Sequence, residues 1–410
     1  MPVTKTITSL TRQFLEKEEM YGAHNYHPLP VVLTKGKGVF VWDVDDRRYY
    51  DFLSGYSAIN QGHCHPRIIE TFIEQAQKLT LTSRAFHNDV LGEYEEFITK
   101  FFGYDKVLPM NTGVEAVETG LKLARRWGYE VKGVPRNKAK IITCAQNFHG
   151  RTISVISFSS DESSRKDFGP FTPGFETIPY NDIPALQMAL QDANVVGFLV
   201  EPIQGEAGVI VPDEGYLAKA AAQCKEANVL FIADEIQTGL ARTGKMLACD
   251  HEGVRPDILL LGKALSGGTM PVSAVLADDE IMLTIKPGDH GSTYGGNPMA
   301  CKVAMTALQV LVDEQMAENS AVQGAHFRKE LTDLRHEHIS IVRGKGLFNA
   351  IVINHPQKDA AWDICIAMKQ NGLLAKPTHG DRIRFAPPLL INQEQIDDCI
   401  GIIKKSMENL

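Results

Sequence analysis

The chain has 410 residues, 44% of them hydrophobic and 22% charged, with 34 glycines and 20 prolines, the balance of a packed globular protein with room for two or three domains of roughly 150 residues. Its 42 lysines and arginines against 50 aspartates and glutamates give a formal net charge of −8 without a basic cluster, which repels a phosphate backbone and argues against a nucleic-acid partner. Apolar runs such as Val195 to Val200 fall far short of the roughly 20 residues needed to cross a bilayer, so no membrane span is expected.

At the start of the chain Lys5, Arg12 and Lys17 alternate with Glu16, Glu18 and Glu19. That mixture is neither a secretory signal nor an acid-poor transit peptide, and the expected location is cytoplasmic, although a mitochondrial form without its presequence has the same appearance. Seven widely spaced cysteines with no C-x-x-C suit reduced thiols better than a disulfide framework. Val39 to Trp42 and Tyr49 to Phe52 flank Asp45-Asp46 and read as a hairpin. His63-Cys64-His65 lacks the second His/Cys group that a zinc site needs, so no metal is expected, and Pro66 opens a helix after it.

Asn111-Thr112-Gly113 has the short side chains of a helix start, and Glu115 to Arg126 continues as the helix. The following strands are expected near 140–144, 195–201, 229–234, 258–262 and 272–277, with a helix over 217–227; continuous apolar runs of this kind belong to strands buried on both faces. Beyond Asn297 come two long helices, short strands near 341–343, 347–353 and 382–385, and a last helix from Gln393. The expectation is an α/β protein: a large domain over 56–296, a smaller α+β domain over 297–410, and residues 1–55 contributing to the smaller one.

Four Gly-Lys pairs, at Lys37, Lys245, Lys263 and Lys345, lack the Ser or Thr of a phosphate loop, and no complete G-x-G-x-x-G occurs. Two strand ends carry the chemistry instead. Asp234 closes the run Val229 to Ala233, and Lys263, 29 positions later, closes Ile258 to Gly262. Ligands of open α/β sheets bind at the carboxyl ends of strands, and a desolvated lysine becomes a neutral nucleophile able to form a Schiff base. Read alone, the lysine can also snorkel to solvent and the aspartate can cap a helix.

A strand-end Asp and then a strand-end Lys, with a Thr-Gly helix start upstream, resemble pyridoxal-phosphate enzymes of the aspartate-aminotransferase fold, fold type I. The segments Asn111 to Ala116, Phe148 to Thr152, Glu201 to Glu206, Asp234 to Gly239 and Gly291 to Thr293 resemble its subgroup III aminotransferases, in the family's order. Tyr21 to Pro28, Ser57 to His63 and Arg382 to Pro388 resemble the members that take L-ornithine. The resemblance runs from about Tyr21 to the C-terminus and implies a large domain built on a mostly parallel seven-stranded sheet, with pyridoxal 5'-phosphate as cofactor.

It further implies Lys263 as the Schiff-base lysine, Asp234 on the ring nitrogen, Gln237 near the ring hydroxyl, and Phe148 and Ile236 on the two ring faces. The phosphate falls to Thr112, Gly113 and Val114, with Ser292 and Thr293 arriving from a partner subunit, so the implied active unit is a homodimer. Arg384 is implied for the α-carboxylate of glutamate or 2-oxoglutarate and Arg151 for the distal one; for ornithine, Tyr26 and Arg151 take the α-carboxylate, Glu206 screens Arg384 and Tyr56 narrows the pocket. The implied reaction is ping-pong exchange between L-ornithine and 2-oxoglutarate. Two rivals remain open: another ω-amino-acid aminotransferase, acting on acetylornithine or 4-aminobutyrate, and a scaffold that binds the cofactor without turnover.

Overall fold

The computed structural model describes residues 8–408. Its centre is a seven-stranded sheet in the spatial order Lys106–Met110, Ser273–Ala277, Ile258–Leu261, Leu230–Asp234, Val195–Val200, Lys140–Cys144, Phe175–Ile178. Only Ser273–Ala277 runs antiparallel to its neighbours, as the mostly parallel α/β reading requires. The two strands not foreseen individually are the edges. Lys106–Met110 carries Pro109, which lacks an amide to donate, and Phe175–Ile178 is only partly buried, so neither is a continuous apolar run.

The central strands are buried at every position because helices cover both faces. The Gly113–Glu130 helix lays Leu121 and Ala124 against Val196, Leu230, Ile232 and Leu260. It starts where it does because Thr112 Oγ1 accepts the Glu115 amide (3.4 Å) while the Glu115 carboxylate accepts the Thr112 amide (2.7 Å), a reciprocal cap. Tyr216–Glu226 covers the other face, with Leu217 and Ala220 against Phe198 and Phe231.

At the chain ends, Phe40–Asp43 and Arg48–Asp51 form the expected hairpin, extended by Leu33–Lys37 and joined in parallel by Leu373-Leu374. A second four-stranded antiparallel sheet holds Ile339–Lys345, Phe348–Ile353, Arg382–Phe385 and Lys376–Thr378. Phe52, Phe327 and Phe385 meet edge to face with centroids 5.5–6.0 Å apart, which pins the first segment to the last. His63 and His65 go to separate carboxylates, Asp51 (2.7 Å) and Glu314 (2.9 Å), and Pro66 is the first residue of the Pro66–Lys78 helix. Among the described residues no helix is long and apolar enough to cross a membrane.

Candidate active site

Asp234 and Leu260 are partners in adjacent parallel strands, so the carboxylate and the lysine three residues beyond Leu260 emerge at one sheet edge. The crossover between them contains a short 3-10 turn, Ala248–Glu252, in place of a full covering helix. Lys263 takes a left-handed backbone conformation, φ +45°, which costs a non-glycine residue energy and persists where surroundings impose it. Among the described residues it has no ion-pair or hydrogen-bond partner. Burial pushes its amine down, with Glu206 opposing that shift and Arg384 adding to it, as expected for a nucleophilic lysine.

A cavity of about 200 Å³ opens over Lys263 and Asp234. Gly113, Val114, Phe148, Ile236 and Gln237 also line it, so seven of the residues expected from the sequence meet there. On its wall stands the N-terminus of the Gly113–Glu130 helix, whose free amides and dipole favour an anion. Gly113 leaves the space: a Cβ there would come to 3.1 Å from Ile236 Cγ2.

Two further titratable residues in the wall, His149 and Glu201, went unassigned in the sequence. His149 is buried and donates from Nδ1 to Asp234 Oδ2 at 2.6 Å, while the Ile236 amide donates to Asp234 Oδ1 at 3.1 Å. Burial alone would lower the imidazole's affinity for a proton, but the Asp234 bond and charge raise it on balance. Glu201 is the second; burial pushes its carboxyl up to about 7, with the Asp234 charge adding to the rise and His149 opposing it. Both lie inside segments singled out above, and Glu201 follows a buried apolar strand just as Asp234 does.

The substrate candidates gather beside this cavity. Arg384, on the Arg382–Phe385 strand and almost fully buried, donates from Nη1 to Glu206 Oε1 at 2.6 Å. Burial would raise the Glu206 carboxyl, but Arg384 and Lys263 hold it below its ordinary value. The Arg384 guanidinium stands 5.1 Å from the Tyr56 ring centroid, and the Tyr56 carbonyl accepts from Gln237 Nε2 at 3.1 Å. Burial, then Glu206, pushes the Tyr56 phenol up, with Arg384, Tyr26 and Arg151 also within electrostatic range. Arg151 is exposed and sits 5.7 Å from the Phe148 ring; Tyr26 is exposed.

Three expected cofactor residues stand outside the cavity. Thr112 spends its side chain on the helix cap, Ser292 Oγ accepts from Asn111 Nδ2 (2.8 Å), and Thr293 faces solvent.

The residues fit pyridoxal 5'-phosphate. A lysine without a partner, a carboxylate braced from two sides, an aromatic wall, an anion-binding helix start and a buried, unpartnered His149 Nε2 converge on one cavity. Sequence comparison matches residues 21–407 to the family Aminotransferase class-III. The chain belongs to the class-III aminotransferases.

Among members of known activity, it is 64% identical to the mitochondrial ornithine aminotransferase of Rattus norvegicus over 96% of this chain and 89% of that one. The ornithine aminotransferase of Toxoplasma gondii, solved with partial occupancy of the cofactor at its active site, superposes with a TM-score of 0.96 at 51% identity, covering 97% of this chain and 94% of the other. An acetylornithine aminotransferase from Elizabethkingia anophelis superposes with a TM-score of 0.90 at 58% identity over 98% and 99% of the two chains. This class-III aminotransferase is therefore similar to both kinds of enzyme, and its own pocket must separate them.

Proposed function

We propose that the protein transfers the δ-amino group of L-ornithine to 2-oxoglutarate, giving glutamate and glutamate 5-semialdehyde, which cyclises to pyrroline-5-carboxylate. The observation that carries this reading is the partly buried Arg384–Glu206 pair beside Tyr56, close enough to Lys263 for its charge to act on Glu206. Pyridoxal 5'-phosphate, when bound, supplies an aldehyde that takes up the amino group and a ring that withdraws electrons from the reacting carbon.

The chain's own residues do the rest. Lys263 Nζ, whose affinity for a proton burial lowers, would hold the cofactor and, once released by the substrate amine, would move the proton at the reacting carbon. Asp234, oriented by His149 and the Ile236 amide, would pair with the ring nitrogen. Phe148 and Ile236 would confine the ring and exclude water, and Gln237 would hold its hydroxyl. Gly113, Val114 and the Thr112 segment hold the phosphate.

Glu206 occupies Arg384 while ornithine reacts, and Arg151, exposed beside the Phe148 ring, with Tyr26 takes the α-carboxylate and brings the δ-amine to Lys263. When 2-oxoglutarate enters, Arg384 turns from Glu206 to the substrate carboxylate in bidentate geometry. Ser292 and Thr293, outside the cavity of their own chain, complete the phosphate site of a second copy in a homodimer. The domains follow the division at 56–296 and 297–410, with 1–55 joined to the latter through the Leu373-Leu374 strand. The chain works in the cytoplasm in this reading; subcellular fractionation separates that from the mitochondrial location carried in the rat relative's name.

The test is a panel assay. Pyrroline-5-carboxylate should form from L-ornithine and 2-oxoglutarate far faster than semialdehyde forms from N-acetylornithine or 4-aminobutyrate. Preference for N-acetylornithine would overturn the reading in favour of the activity named for the Elizabethkingia anophelis enzyme.

A further inference from the structure

Glu201 has no part in the exchange just described, yet it is buried at the sheet edge that carries Asp234 and Lys263. Its two carboxylate oxygens serve different loops. One accepts the Phe148 amide at 2.8 Å and the other the Gly205 amide at 3.2 Å. Phe148 forms the aromatic wall of the cavity, and Gly205 precedes Glu206, the partner of Arg384. Among the described residues no cation lies within ion-pair distance of Glu201.

A buried carboxylate without a cation is a costly way to fill space, while hydrogen bonds that it accepts are stronger than those of a neutral acceptor. The Gly205 backbone runs directly against the cavity residue Gln237, since a Cβ at that position would stand 1.7 Å from Gln237 Oε1. Resting on the reading under Proposed function, we propose that Glu201 is a positioning residue that sets the cofactor's aromatic wall and the Glu206–Arg384 gate together, by holding the Phe148 and Gly205 amides with its two oxygens.

The experiment compares Glu201→Gln with the wild-type enzyme. The variant keeps one acceptor but turns an amide NH₂ toward the other backbone N–H. Measured at about pH 8.5, where the Glu201 carboxyl is ionised, loss of a charge-assisted bond on each side predicts a dissociation constant for pyridoxal 5'-phosphate raised about 10- to 100-fold, read by fluorescence quenching, and a fall of about tenfold or more in the preference for ornithine over glutamate. Glu201→Asp, which keeps the charge on a shorter arm, should recover part of both. A role in folding alone would lower the unfolding midpoint and leave both readouts within twofold of wild type; that result overturns the proposal, as does a change in one readout without the other. If Glu201→Gln does not purify, Glu201→Asp takes its place: a shift in both readouts supports the proposal, and a shift in one or neither overturns it. Failure of the wild-type protein to bind the cofactor or convert ornithine sinks the proposed function itself; normal wild-type behaviour with unchanged variants sinks only the role of Glu201.

Discussion

Removing the charge of Glu206 should convert a closed arginine into an open one. Arg384 Nη1 lies 2.6 Å from Glu206 Oε1, with the two side chains 3% and 25% exposed. Two unit charges at that distance attract by about 6 kcal/mol at an effective dielectric near 20, before desolvation is subtracted. Deleting one partner of a buried pair costs about 3–5 kcal/mol, and the partial exposure of Glu206 places this case toward the lower end. In Glu206→Gln the guanidinium is left to the substrate. A carboxylate bound there in place of the lost partner contributes about 1.5–3 kcal/mol, or about 10-fold to somewhat over 100-fold in kcat/KM. Rapid-mixing absorbance of the cofactor with each amine measures the effect. The glutamate half-reaction should gain on the ornithine half-reaction by that factor, while the thermal midpoint falls. An unchanged ratio, with the protein folded and loaded, refutes the gating role of Glu206.

Tyr56→Ile should lower the preference for ornithine and raise activity toward 4-aminobutyrate, because the ring beside Arg384 is removed; unchanged substrate ratios count against Tyr56 as the narrowing residue. Phe385→Ala removes one member of the three-ring cluster that joins the chain ends, and a loss of about 3–5 kcal/mol in urea unfolding is expected; a loss below about 1 kcal/mol contradicts the packing argument. Burial raises the Glu201 carboxyl from 4.5 to about 7, with His149 and Asp234 facing it. The folded cofactor-free protein therefore keeps a proton that the unfolded chain releases across that range, and the contribution of Glu201 to stability falls as pH rises from about 4.5 to 7 and is level above. The difference in unfolding free energy between wild type and Glu201→Gln should shrink over that window; a difference independent of pH removes the burial argument.

The sequence carries the sheet interior well because strands such as Ile258–Leu261 are apolar at every position and buried at every position. It carries the edges poorly. Lys106–Met110 and Lys376–Thr378 contain prolines and charges that edge strands tolerate and sequence patterns count against. Lys263 and Asp234 stand out because a charge ending a buried run needs a reason, and their convergence follows from the pairing of Asp234 with Leu260. Glu201 gives the same signal, but which loop amides its oxygens meet is fixed by tertiary contacts of Phe148 and Gly205. His149 is hidden for a similar reason: a histidine next to an aromatic residue becomes the brace of Asp234 only through a contact 85 positions away. Thr112 is legible as a helix start, and its hydroxyl accepts the Glu115 amide there.

The central claim is that Lys263 is the residue to which the cofactor is bound. Borohydride reduction of the enzyme loaded with pyridoxal 5'-phosphate, followed by proteolysis and mass mapping, should place one phosphopyridoxyl increment on the peptide containing Lys263. An increment on another lysine, or none on a protein that still exchanges amino groups, would contradict that claim.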